Sequence, residues 1–398
     1  MRSWKIRQLS EIGRIVTGKT PSTRDKENFG NKYPFITPKD MVGQKYVSKV
    51  ERYLSEIGKD RVKNAFIPKD AICVSCIGSD MGKVVMSTQP SVTNQQINSI
   101  IVNSSYDPNY IYYSLLSITD ELKNIARHGT TMPIINKSEF SKVMISVPFL
   151  SEQKAIAATL SCLDDKIELN NRINKTLEEI AQAIFKSWFV DFEPFQDGEF
   201  EASELGRIPK GWRVVELGSL LNFVKGKKPK GLVDIKNSNF QAQYLNIHAL
   251  NGGNPQFAET DKMILANEYD ILMVMDGASS GSVYFGLNGI VASTIAKLEI
   301  NSDNLREVVY QYLRLYESEI RAHVTGSAIP HTDKGYVNTR KIAIPSDEDL
   351  HEITRTFKTI RGLIIENRQQ EKKLRDIRDT LLPKLMSGEI RVPIEEVQ

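Results

Sequence analysis

The chain has 398 residues, 40% hydrophobic and 25% charged, with a formal net charge of +3 and three cysteines. A composition this close to the globular average excludes a disordered, collagen-like or disulfide-stapled protein, and the length allows two or three domains with cores of their own. No apolar run approaches the about 18 residues of a membrane span, and Met1-Arg2-Ser3-Trp4-Lys5 has no apolar signal region, so a cytoplasmic protein with reduced thiols is expected.

In chain order, residues 1–148 carry 21 Lys+Arg against 13 Asp+Glu, net +8, a surplus that suits a polyanion partner. Their β-like runs (71–77, 97–102, 143–147) alternate with Gly/Ser/Thr/Asn loops and one helical pattern at 111–125, which predicts an α+β globule. Cys73-x-x-Cys76 has no second such pair and no histidine pair nearby, and reads as small hydrophobes on a buried strand. After Pro148 residues 149–189 are helical, with Ser151 ahead of Glu152 and Gln153 as an N-terminal signal. Residues 190–210, with two basic and six acidic side chains and Gly206 and Pro209, predict an exposed linker. A second globule covers 211–345, with β-like runs at 271–275, 295–300 and 341–344 and a helical pattern at 308–323. A second helix follows at 346–388, opened by Ser346 before Asp347 and Glu348, and residues 389–398 form a tail.

Laid against itself, the chain repeats once. Trp4, Leu9, Gly18, Lys19 and Pro21 match Trp212, Leu217, Gly226, Lys227 and Pro229 at an offset of 208 (212 − 4). From Gly129/Gly326 through Pro133/Pro330, Pro148/Pro345, Asn170/Asn367 and Ile180/Ile377 the offset is 197 (326 − 129) without a gap. Each copy is a globule followed by a helix.

Both helices carry a stripe of residues alternately four and three apart, the a/d pattern of a coiled coil. In the first it is Leu163, Ile167, Asn170, Asn174, Leu177, Ala181, Ile184 and Trp188; in the second Ile360, Ile364, Asn367, Glu371, Leu374, Arg378, Leu381 and Leu385. Such a stripe packs either on its own globule or on the other helix. Equivalent mid-seam Asn170 and Asn367, which suit register selection, favour pairing of the two helices. An antiparallel pair would set two globules apart about a pseudo-twofold axis, with a spacer of roughly 45–60 Å for about 30–40 helical residues.

Three strings have the form of enzyme motifs. Gly13-Arg-Ile-Val-Thr-Gly18-Lys19-Thr20 fits a phosphate-binding loop, which raises a P-loop NTPase as an alternative, but Pro21 follows at once and the second copy has Leu221 and Lys228 where the first glycine and the hydroxyl would stand. Gly277-Ala-Ser-Ser-Gly281 fits a nucleophile elbow, yet β-like Ser282-Val-Tyr-Phe285 follows where a helix is needed, and Asp80 is the aligned residue in copy one. Asn254-Pro255-Gln256-Phe257 is similar to an N-methyltransferase loop but lacks its second proline, and no cofactor loop accompanies it. Five scattered histidines give no metal motif.

What the copies share instead suits a DNA backbone: small residues permit close approach, amides and hydroxyls bind phosphate, and lysine neutralises it. The candidate DNA-binding residues are Lys19, Thr20, Ser22, Thr23 and Arg24, with Lys227, Lys228 and Lys230; Ser79, Asp80 and Lys83, with Ser279 and Ser280; and Thr130, Thr131, Asn136 and Lys137, with Ser327, His331, Thr332 and Lys334. Frames repeat while loop contents differ, which predicts a bipartite, asymmetric target. The remaining alternative is a coiled-coil scaffold that binds only protein.

This architecture, with the Gly-Lys-x-Pro turns, Gly129-Thr-Thr-Met-Pro133, Gly326-Ser-Ala-Ile-Pro330, Pro148-Phe-Leu-Ser-Glu-Gln153, Ile184-Phe-Lys-Ser-Trp-Phe-Val-Asp-Phe192 and Leu381-Leu-Pro-Lys-Leu-Met-Ser-Gly388, resembles the specificity (S) subunits of type I restriction-modification systems over essentially the whole chain. Ser346-Asp-Glu-Asp-Leu-His351 departs from the family's Glu-Gln helix opening. The resemblance implies two mixed α/β target-recognition domains held apart by an antiparallel coiled coil, in a non-catalytic reader of double-stranded DNA. It further implies two methyltransferase (M) subunits docked on the helices and carrying S-adenosylmethionine for adenine methylation, and restriction (R) subunits using ATP and magnesium. No cofactor is implied in this chain itself, and no membrane partner.

Overall fold

The computed structural model describes residues 4–47, 49–126, 134–253, 255–326 and 329–393, and internal contacts divide the chain into two units. Unit one is Met1–Asn170 with Gln370–Gln398; unit two is Asn171–Gln369. The division falls inside both long helices, not at the globule–helix junctions near 148 and 345 that the covalent order suggests. A helix with a buried stripe groups with whatever that stripe packs on.

In unit one, Lys5–Gln8 pairs antiparallel with Met144–Val147. A five-stranded sheet runs in the order Gly13–Thr17, Ile97–Val102, Ile72–Ser75, Val84–Ser87, Tyr46–Val47, and a second holds Phe29–Gly30, Arg52–Leu54, Tyr33–Ile36, Ser91–Thr93 and Phe66–Ile67. Strand Ile72–Ser75 is buried on both faces. Ile72 and Val74 join Ile100, Tyr110, Tyr113 and Phe140, while Cys73 joins Val16, Ile36, Val85 and Ile97. A strand buried twice reads as a continuous apolar run, and each such side chain contributes roughly 1.5–3 kcal/mol by leaving water.

Unit two repeats the plan. Arg213–Glu216 pairs with Lys341–Ile344, and Leu221–Lys225, Ile295–Ile300, Ile271–Val274 and Val283–Phe285 form the main sheet. Its central strand sends Ile271 and Met273 to one core and Leu272 and Val274 to the other. The single helical pattern expected in each globule is two helices, Pro108–Ser117 with Thr119–Ala126 and Arg306–Leu315 with Glu317–Ala322. Ile118 and Tyr316 leave the helical region at the junctions, which apolar spacing does not reveal.

The long helices are Leu150–Phe189 and Asp347–Ser387. Ser346 accepts from the Asp349 amide at 3.4 Å and donates to its carboxylate at 2.7 Å, as a helix opening should. Ser151 instead lies inside the first turn of its helix, which starts one residue earlier. Within unit one the helices run antiparallel, with Asp164 against Arg378 and Asn170 against Gln370; within unit two Asn174 meets Asn367 and Glu178 meets Arg361. Every one of the sixteen stripe residues is buried or half-buried. The helices also serve the globules: Ile156, Leu160 and Leu382, with Leu385 of the stripe, enter the core of unit one, and Phe185, Ile353 and Phe357, with Ala181 of the stripe, that of unit two. The two packing alternatives are therefore combined.

The acidic stretch is not a plain linker. Phe192 and Phe195 pack on Trp212 at ring distances of 5.5 and 5.0 Å, and Phe200–Ser203 forms a hairpin with Gly206–Pro209 that buries Ile208. Aromatic residues between the carboxylates give the segment an apolar side that the charge count hides.

Candidate nucleic-acid interface

Sheet register gathers the candidate loops. In unit one, Thr17 stands opposite Asn98 and Ser75 opposite Ile97, so the turn after Thr17, the loop before Ile97 and the turn after Ser75 share one end of the sheet. The segment after residue 133 joins them through an Ile77–Ile134 bridge and the Asn98 side-chain amide, which donates to the Ile135 carbonyl at 3.1 Å. Unit two does the same: Lys225 opposes Ala296, Val274 opposes Ile295, and an Asp276–His331 bridge brings in the last loop.

The Gly-Lys turns have a steric cause. Gly18 donates to the Ile97 carbonyl and Lys19 to that of Thr93; Gly226 and Lys227 make the same bonds to Ile295 and Val291. A Cβ on Gly18 would stand 2.0 Å from the Asn94 carbonyl oxygen, and one on Gly226 2.2 Å from that of Val291. The NTPase alternative fails here, because Gly13–Thr17 is a sheet strand and the next element is the short 3-10 turn Lys26–Asn28, with no helix behind the would-be phosphate loop. The Gly277 string likewise leads into strand Val283–Phe285.

The candidates divide by availability. Lys19, Ser22, Thr23, Arg24, Lys137, Lys227, Lys228, Lys230, His331 and Lys334 are exposed. The half-buried Thr20 hydroxyl donates to Gln95 at 2.6 Å. Lys83 is held by Asp80 at 2.8 Å and by the Pro38 carbonyl at 3.1 Å. Asn136 caps helix Lys137–Ser141 through the Glu139 amide. Ser79 lies in the turn Gly78–Asp80, and Ser279 is half-buried. Two candidates are corrected: Ser280 and Thr332 are buried, and their hydroxyls donate to the Gly277 and Pro330 carbonyls and to the Val274 carbonyl. Both hydroxyls are engaged in shaping the loops. Thr130, Thr131 and Ser327, like Asn254 of the methyltransferase-like string, lie outside the described residues.

Sequence reasoning missed a charged cluster in unit two. Asp276 accepts from Lys225 at 3.0 Å and pairs with His331 Nδ1 at 2.8 Å. Partial burial alone would raise its pKa, but the hydrogen bonds and charge of His331 and Lys225 outweigh it and hold the carboxyl below its ordinary range. The corresponding residues of unit one are Thr17 at the offset of 208, Ile77 at the offset of 199 that Gly78/Gly277 and Gly82/Gly281 share, and Ile134 at the offset of 197, so equal frames carry unlike chemistry. Cys73 and Cys76 are buried, which pushes their thiols up to about 12 and about 11, as the structural reading requires.

Two globules whose main sheets share the order of four core strands, each with the same loops drawn to one sheet end, define a duplicated recognition protein. A family model described as "Type I restriction modification DNA specificity domain" matches residues 1–179 and 209–375. The chain is 32% identical to the type I restriction enzyme MjaIX specificity subunit of Methanocaldococcus jannaschii, over 98% of this chain and 94% of that one. It is 38% identical to the HindI specificity subunit of Haemophilus influenzae over 46% of this chain and 40% of that one. The crystal structure of a type I restriction-modification S subunit from M. genitalium has the same fold, with a TM-score of 0.53, 18% identity and 96% of each chain covered. The chain belongs to the type I restriction-modification specificity family, as a DNA specificity subunit with two target-recognition domains.

Proposed function

We propose that each globule reads one half of a bipartite, asymmetric duplex site through the loops at its sheet end. The reading is carried by one observation: the same loops converge in both units while the residues at that end differ, Lys225, Asp276 and His331 in one against Thr17, Ile77 and Ile134 in the other. Exposed Lys19, Arg24 and Lys137, and Lys227, Lys228, Lys230 and Lys334, suit phosphates, which position a reader without specifying sequence. Unlike side chains beside them suit base edges.

The chain then acts as the non-catalytic subunit of a cytoplasmic complex. The helix pair sets the spacing of the half-sites and docks two adenine-methyltransferase subunits, which bring S-adenosylmethionine; restriction subunits using ATP and magnesium complete the assembly. Leu169, Ile173 and Ile180 on the first helix and Leu363 and Ile377 on the second are exposed apolar residues, which supports docking of partner helices there. Replacing Lys227, Lys228 and Lys230 together by alanine, in the complex with methyltransferase subunits, lowers duplex affinity evenly across sequences and reduces the slope of log affinity against log salt by about 2 to 3. An unchanged slope in titrations at several salt concentrations contradicts this interface.

A further inference from the structure

The two long helices are equivalent at an offset of 197, yet their buried crossings carry opposite charge. In unit one Asp164 of the first helix pairs with Arg378 of the second at 2.7 Å, the side chains 7% and 13% exposed. In unit two the second helix supplies Arg361, 3% exposed, which pairs with Glu178 of the first at 2.8 Å. Asp164 and Arg361 stand at the same position of the repeat (361 − 164 = 197). Each is tied to its own globule, Asp164 by the Tyr113 hydroxyl at 2.6 Å and Arg361 by Glu307 at 2.9 Å, so neither is free to swing into water away from a bad partner.

Consider the first helix of a second copy laid in the place of the second helix. It would present Asp164 where Arg361 stands and Ala181 where Arg378 stands, so Glu178 would face a carboxylate and Asp164 would lose Arg378, its ion-pair partner. Asn170, fully buried and donating to Gln370 at 2.7 Å, would face Ile173. Two copies of the second helix would set Arg361 against Arg375 and Arg378. A buried charge without its counter-ion is strongly unfavourable, and such mismatches discriminate between partners more sharply than attraction alone.

We propose that the Asp164·Arg378 and Glu178·Arg361 crossings are a charge code that admits only unlike pairing, first helix with second, and bars like pairing between two copies of the chain. The code depends on single residues. Asp164→Arg opposes Arg378 in its own chain and at the same time makes the first helix complementary to itself, because the reversed charge meets Glu178 of a second copy, twice by symmetry.

The test is light scattering on the purified full chain. The unaltered chain is expected at its monomer mass of 45.0 kDa and Asp164→Arg at twice that. Asp164→Asn removes the attraction without making the helix self-complementary, so it melts several degrees lower and stays monomeric. Should Asp164→Arg fail to fold, Arg378→Asp applies the same rule to the second helix, where Arg361 meets the reversed charge. A folded, monomeric Asp164→Arg or Arg378→Asp overturns the proposal, as does dimerisation of the unaltered chain or of Asp164→Asn.

Discussion

Asp276 owes its setting to residues 51 and 55 positions away in sequence (276 − 225 and 331 − 276). Because its carboxyl lies below its ordinary range when folded, it stabilises unit two above the unfolded value of about 3.9, and that contribution is lost as pH falls through the lower folded value. Asp276→Asn is therefore expected to cost about 1 kcal/mol at pH 7 and progressively less below about pH 4. Urea midpoints compared at pH 7 and pH 3 check this, and an equal loss at both would show that the ion cluster is not the cause. Sequence showed which loops carry polar groups but not which way they turn. Ser280 and Thr332 look like Ser22 and Thr23 in composition, yet the first two spend their hydroxyls on carbonyls. Lys225 escaped notice and Asp276 reads in sequence only as the end of a Walker B-like strand, Ile271-Leu-Met-Val-Met-Asp276, because only strand register brings the two together.

At the scale of elements, the β-runs 97–102, 295–300 and 341–344 and both long helices were legible to within a residue of their observed ends. Strands buried on both faces and forty-residue helices write long, uniform signals. The helix breaks at Ile118 and Tyr316 and the hairpin in the acidic stretch were not, since they rest on tertiary contacts such as Phe192 and Phe195 on Trp212. The Gly-Lys turns were found as a pattern, but their cause is a backbone crossing. Gly18→Ala and Gly226→Ala are each expected to lower stability by at least about 3 kcal/mol, because the obstacle is a carbonyl of the neighbouring loop and not a flexible side chain. Thermal melts of the two variants test this, and a Gly18→Ala chain that melts like the original would show that the loop before Ile97 yields.

At the scale of the molecule, the duplication is the strongest message in the sequence, and the resemblance to the family rests on it. What sequence could not supply is how packing divides the chain. Each unit takes one globule and half of each helix, so Leu382 and Leu385 from the end of the chain complete a core begun by Leu9 and Ile12. An exchange of the first globule must therefore keep both helices and replace only residues 1–148. The central claim, one globule for each half-site, is tested most directly by sequencing methylated adenines in cells that carry partner methyltransferase subunits with either the original chain or such a hybrid. The expected result is a bipartite motif in which the hybrid changes one half and keeps the other. A continuous motif, or a hybrid that alters both halves, would contradict the claim.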